Sequence, residues 1–197
     1  MEIVLATENG GKLREFQALF ANTDHTLVSL ADFSVTQAEE TGETFIENAL
    51  LKARNAAAAT GKPCLADDSG LAVATLEGAP GIYSARYARP HPELTQDQAN
   101  NQKLLEALAG ATDRRAHFYC ALVLLRSPND PAPLVATGQW HGTIAEAPSG
   151  TNGFGYDPLF VDVESNQSAA SLSAEQKHAR SHRGRAWQVL KPQLAGL

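Results

Sequence analysis

Residues 64–73 read CLADDSGLAV: an apolar run, two adjacent aspartates, Ser69 and Gly70, then a second apolar run. Cys64 to Asp67 and the run LAVATL, Leu71 to Leu76, predict buried strands on either side of the acidic pair. Carboxylates at the end of a buried strand are costly unless cations or a metal offset them. A chain that sets Asp67 and Asp68 there therefore points to a site as well as to a sheet.

Working outward, EIVLAT (2–7) predicts another short buried strand, broken by ENGG (8–11). Leu13, Phe16, Leu19 and Phe20 follow at helical spacing. TLVSL (26–30) predicts a strand, and a loop containing QAEETGE (37–43) leads into the clearest helix. That helix opens on a capping box, Thr44 with Glu47, and runs to Gly61, with Pro63 beyond it as a stop. The aperiodic segment EGAPGIYSARYARPHPE (77–93) predicts a loop. Thr95 and Gln98 offer a second capping box, for a helix through Leu108. HFYCALVLL (117–125) and PLVATGQWHGTIAEA (133–147) are long β-type runs separated by the turn signal RSPNDPA. Ser173 and Gln176 offer a third box, and residues 184–197 predict a terminal helix with a late proline. Mixed in this order, strands and helices predict an α/β fold around a central mixed sheet, with α+β as the alternative.

The 197 residues are 43% hydrophobic and 19% charged, which suits one soluble globular domain over residues 1–197. No apolar run approaches a membrane span, and the N-terminal segment lacks the pattern of a signal peptide, so a cytoplasmic protein with no membrane partner is expected. The two cysteines, Cys64 and Cys120, have no ligand spacing and read as buried thiols. A net charge of −6 argues against nucleic acid as a partner. It leaves room for a small anion held by a few focused cations.

Several segments fit such an anion. In LATENGGKL a strand, a glycine turn and a helix start present backbone N–H groups to a phosphate, and Lys12 adds a charge. Glu47, Asn48, Lys52 and Asn55 share one face of the capped helix, with Glu39, Glu40 and Glu43 close to its start. Asp67 and Asp68 are hard oxygen donors of the kind magnesium takes, and a carboxylate near such a metal can deprotonate a water. In PSGTNGFGYDPLF (148–160), glycines permit close backbone approach while Phe154 and Tyr156 offer rings for stacking. Lys177, His178, Arg180, His182, Arg183 and Arg185 form a basic cluster in this acidic chain. These are the parts a nucleoside polyphosphate needs. Each segment alone also has a structural reading, as a turn, a cap or a solvated face.

Taken in order, T-x-N-x-x-K (Thr7, Asn9, Lys12), EETGETFIENALLKA, ADDSGL, GAPGIYSARYA, GTNGFGYDPLF and SHRG resemble the inosine/xanthosine triphosphate pyrophosphatases, the Ham1-like nucleotidases. The resemblance spans nearly the whole chain. It implies a long, twisted mixed sheet flanked by helices, with two lobes and a cleft between them. It also implies a homodimer that uses Mg2+ to hydrolyse ITP, dITP and XTP to the monophosphate and pyrophosphate. By position, Thr7, Glu8, Asn9, Gly10, Gly11 and Lys12 would hold the phosphates, with the Glu8 side chain turned away. Glu40, or Glu39 in the other register of the pair, would bind magnesium together with Asp68. Lys52 would reach the phosphate chain. Asp68 would also accept the proton of the attacking water, with Asp67 beside it and Ser69 touching substrate. Phe154, Gly155, Tyr156, Asp157, Lys177, His182 and Arg183 would surround the purine. Gln176, where an acidic residue is usual, and Ala179-Arg180 before SHRG depart from the pattern on the base side. A pyrophosphatase for another nucleotide, or a nucleotide sensor without turnover, would share much of this constellation.

Overall fold

The structure is a computed structural model that describes residues 1–21, 23–36 and 38–196. Of the expected elements, Gln37 of the acidic loop and Leu197 of the terminal helix lie outside the described residues. Six strands, β1 (Glu2–Leu5), β2 (Thr26–Ser29), β3 (Cys64–Val73), β4 (Arg115–Leu125), β5 (Leu134–Ile144) and β6 (Phe160–Asp162), form one sheet in the order β2-β1-β3-β4-β5-β6. The sheet is mixed: β1 is parallel to both β2 and β3, whereas β5 and β6 are antiparallel. Among the described residues five α-helices accompany it: α1 (Gly10–Phe20), α2 (Phe45–Thr60), α3 (Gln96–Ala107), α4 (Ala174–Arg180) and α5 (His182–Leu194). The α/β expectation therefore holds. Among the described residues no helix is long and apolar enough to cross a membrane.

All three expected capping boxes form, at Thr44/Glu47, Thr95/Gln98 and Ser173/Gln176. Gly61 closes α2 in the left-handed conformation that glycine adopts without penalty. The acidic pair corrects one expectation. Rather than two strands flanking the aspartates, β3 runs unbroken through them from Cys64 to Val73, and Ala74–Leu76 is a turn of 3-10 helix. Alternation explains the continuity, since successive residues of a strand face opposite sides of the sheet. Two like charges can then sit side by side in sequence and each find its own cations. Residues 77–93 also hold more order than a loop, with a 3-10 helix at Gly81–Arg86, and the short β6 gave no periodic signal before it.

The chain divides into two compact units, residues 1–68, 120–138 and 183–197 in one, and residues 69–119 and 139–182 in the other. Each has its own core. In the first, Ile3 and Leu5 of β1, Leu65 of β3 and Leu122 and Leu124 of β4 pack on Phe16 and Phe20 of α1 and Trp187 and Leu190 of α5. In the second, Leu71, Val73, Leu104, Phe118, Trp140, Tyr156 and Phe160 pack together. Cys64 and Cys120 are both buried free thiols, as expected.

Candidate active site

In the first unit, the odd-numbered side chains of β3 continue the apolar face begun by Leu65, and Asp67 ends it fully buried. Lys12 of α1 forms an ion pair with Asp67 Oδ1. Arg183 Nε of α5 donates to Oδ2 at 3.1 Å, and the Cys120 thiol donates to the same oxygen at 3.2 Å. Arg183 Nη1 also donates to Glu15 of α1 at 2.9 Å. Burial alone would raise the Asp67 carboxyl, but the Lys12 and Arg183 charges outweigh it and hold Asp67 far below the ordinary aspartate range. The aspartate's charge raises the Cys120 thiol, which burial already pushes up, so the thiol stays protonated and able to donate. Glu15 and Cys120 carried no sequence signal of this role. Their spacing from Asp67 is set by the sheet and the two helices.

Asp68, one residue on, faces the other way. Lys52 Nζ of α2 donates to Asp68 Oδ1 at 2.7 Å and to Glu40 Oε1 at 3.0 Å. Asp68 Oδ2 is buried and has no hydrogen-bond partner among the described residues. Burial raises the Asp68 carboxyl, the Lys52 charge offsets part of that rise, and Glu40 adds to it. Burial would also weaken the hold of Lys52 on its proton, but Asp68 and Glu40 reverse this and raise its affinity. Glu40, not Glu39, is thus the carboxylate brought to Lys52. The loop that carries it is fastened by Asn48, whose Oδ1 accepts from Gly42 N at 2.8 Å. A Cβ on Gly42 would stand 2.6 Å from that of Glu47, so the approach requires glycine. Of the polar stripe on α2, Glu47 serves the capping box, Asn48 this loop and Lys52 the two carboxylates, while Asn55 holds Thr36 O at 2.7 Å.

The glycine turn behaves as its sequence indicates. Asn9 caps α1, accepting from Lys12 N at 3.0 Å, and Thr7 Oγ1 accepts from Asn9 N at 3.2 Å. The first-turn N–H groups of Gly10 and Gly11 have no acceptor within the helix, and Glu8 is exposed. Ser69 follows Asp68 on β3, half-buried.

In the second unit, Asp157 Oδ2 accepts from Phe154 N at 2.9 Å and from Lys177 Nζ at 2.6 Å. Lys177 Nζ lies 5.0 Å from the Phe154 ring centroid. Gly153 is left-handed at φ 77°, and a Cβ there would collide with the Asp157 carboxylate. The ring of Tyr156 is part of the core, with its hydroxyl donating to Ser84 O at 2.8 Å. Phe154, rather than Tyr156, is therefore the ring of this loop that lies outside the core. His182 is buried and stacks on Phe118, centroids 4.7 Å apart and planes within 14°. Arg183, expected with the purine group, has its guanidinium on Asp67 and Glu15 in the first unit.

Residues 3–193 match the Ham1 family. The chain belongs to that family. Among its Ham1 relatives, the dITP/XTP pyrophosphatase of Thioalkalivibrio sulfidiphilus is 50% identical over 198 residues, covering 100% of both chains. That of Escherichia coli K12 is 52% identical over 191 residues, covering 96% of this chain and 95% of the other. A solved Ham1 protein from Coxiella burnetii superposes with a TM-score of 0.90 at 48% identity, over 100% of both chains. The nucleoside-triphosphatase or dITP/XTP pyrophosphatase of Mycobacterium abscessus gives 0.76 at 42% identity, covering 98% of this chain and 100% of the other.

Proposed function

We propose that the chain, working as one nucleotide pyrophosphatase domain over residues 1–197, hydrolyses ITP, dITP and XTP to the monophosphate and pyrophosphate. Its relatives at 50% identity and above bear the name dITP/XTP pyrophosphatase. The observation that carries the chemistry is the split environment of Asp67 and Asp68. One is locked by two cations and a thiol, and the other keeps an oxygen without a partner among the described residues.

The charges support a cation accompanying the substrate. Lys12, Lys52 and Arg183 are already matched by Glu15, Glu40, Asp67 and Asp68, leaving the group with a net negative charge. A triphosphate entering such a group meets like charge, which a bound cation would offset. Glu40 and Asp68, two oxygen donors converging on one ammonium, suit magnesium, which prefers oxygen, takes one or two carboxylates and keeps waters. Bound there, magnesium would supply positive charge to the phosphate oxygens.

The protein's own groups do the rest. The N–H groups of Gly10 and Gly11, with Thr7, Asn9 and Lys12, hold phosphate oxygens at the positive end of α1. Lys52 follows the charge that moves onto the departing pyrophosphate. Asp68 takes a proton from the water that attacks the α-phosphorus, while the bond from that phosphorus to the bridging oxygen breaks. Asp67 fixes Lys12 and Arg183 in place. On the base side, Phe154 stacks on the purine and Lys177 donates to the oxygen at its six position, where adenine carries an amino group that would leave the donor unmatched. Gly155, Asp157, Ser69 and His182 complete the contacts in this reading. The two buried thiols favour a reducing, cytoplasmic setting, and the resemblance supports a homodimer.

Pyrophosphate release with Mg2+, measured in parallel on ITP, XTP, GTP, ATP, CTP and UTP, tests the function. Release from ITP and XTP far above the others is expected. A preference for a pyrimidine would overturn the base assignment, and no release from any nucleotide would overturn the reaction.

A further inference from the structure

The loop proposed to carry the purine is fastened from outside by a helix that none of the recognised motifs includes. Asp97, in the first turn of α3, accepts from Gly155 N through Oδ2 at 2.8 Å. Asn101, one helical turn on, donates from Nδ2 to Gly155 O at 2.8 Å. Both backbone groups of a single residue are thus held by two side chains spaced i, i+4 on one face of a helix. Gly155 has φ 62°, a conformation that a flexible chain would leave readily. Its neighbour Phe154 is tied from within the loop by Asp157. The amide of Asn101 is oriented to serve Gly155 O at a cost, because its Oδ1 is buried with no partner among the described residues.

We infer that Asp97 and Asn101 are positioning residues for purine recognition: by clamping Gly155 they set the Phe154 ring against Lys177 before nucleotide arrives. The inference rests on the proposed role of this loop. A loop with glycines at 150, 153 and 155 has a large entropy to lose on binding, and a clamp that removes it beforehand strengthens binding without touching the substrate. Because the clamp acts on the base and not on the phosphorus, its loss belongs in KM and in the discrimination between bases. The step at the α-phosphorus should be spared.

The test compares wild type with D97A, D97N and N101D. D97N keeps an oxygen for Gly155 N, whereas N101D keeps the size of Asn101 but removes its donor. Two readouts are taken: steady-state pyrophosphate release from ITP and ATP with Mg2+, and amide hydrogen exchange at Gly155 without nucleotide. D97A and N101D should raise KM for ITP about tenfold, the equivalent of one hydrogen bond, with kcat within about twofold. They should narrow the preference for ITP over ATP, and D97A should quicken Gly155 exchange. D97N should stay close to wild type in both readouts. Unchanged KM and exchange in D97A and N101D, or a loss confined to kcat, would overturn the clamp. If exchange quickens but wild type itself releases no pyrophosphate from ITP, the function fails first and the clamp is reduced to a contact of the fold.

Discussion

Asp67 and Asp68 carry the same side chain on adjacent residues, and their surroundings give them different tasks. Asp67, fully buried, balances Lys12 and Arg183, so removing its charge leaves largely buried cations short of a partner. Breaking a buried pair in this way typically costs about 3–5 kcal/mol. Urea denaturation should therefore show D67N strongly destabilised. D68N removes a carboxylate that burial disfavours, and it should change stability far less. A D68N protein less stable than D67N would contradict this division. The adjacency was legible in the sequence, and so was its chemical oddity. The division was not, because it depends on which helix stands over each face of β3.

At the scale of elements, the helix starts could be read because a cap is a local contract between a side chain and an N–H group three residues on. The end of β3, the 3-10 turns and β6 could not, since they depend on partners distant in sequence. One such partnership joins β5 to β6. Trp140 Nε1 donates to Asp162 Oδ1 at 2.9 Å, while Ser165 N and Oγ donate to Oδ2 at 3.0 and 2.8 Å. Burial by itself would raise the Asp162 carboxyl, but these donors outweigh it and lower it. A lowered carboxyl stabilises the folded chain fully above the ordinary aspartate value near ~4 and loses that contribution as pH falls below it. D162N should therefore cost about 1.5–3 kcal/mol at neutral pH, and the difference from wild type should shrink as the pH is lowered from 5 towards 3. A difference independent of pH would contradict the assignment.

Across the whole molecule, the −6 charge argued against nucleic acid, the focused cations and family motifs indicated a small anionic ligand, and the family assignment followed from segments spread over nearly all of the chain. The candidate site was legible where a residue type is itself the chemistry: Asp68, Lys52, Lys12, Glu40 and Lys177. It was not legible where a residue acts through another, as Glu15, Cys120, Asp97 and Asn101 do, because nothing in their spacing points to the group they hold. In the proposed mechanism Asp68 accepts the proton of the attacking water while Asp67 secures the cations beside it. This is tested most directly by pyrophosphate release from ITP with Mg2+ in D68N, alongside wild type and with folding checked by circular dichroism. D68N should fold, and its release should fall by roughly 10²–10⁴-fold, the usual contribution of a general base. A folded D68N that turns over ITP at the wild-type rate would contradict the mechanism.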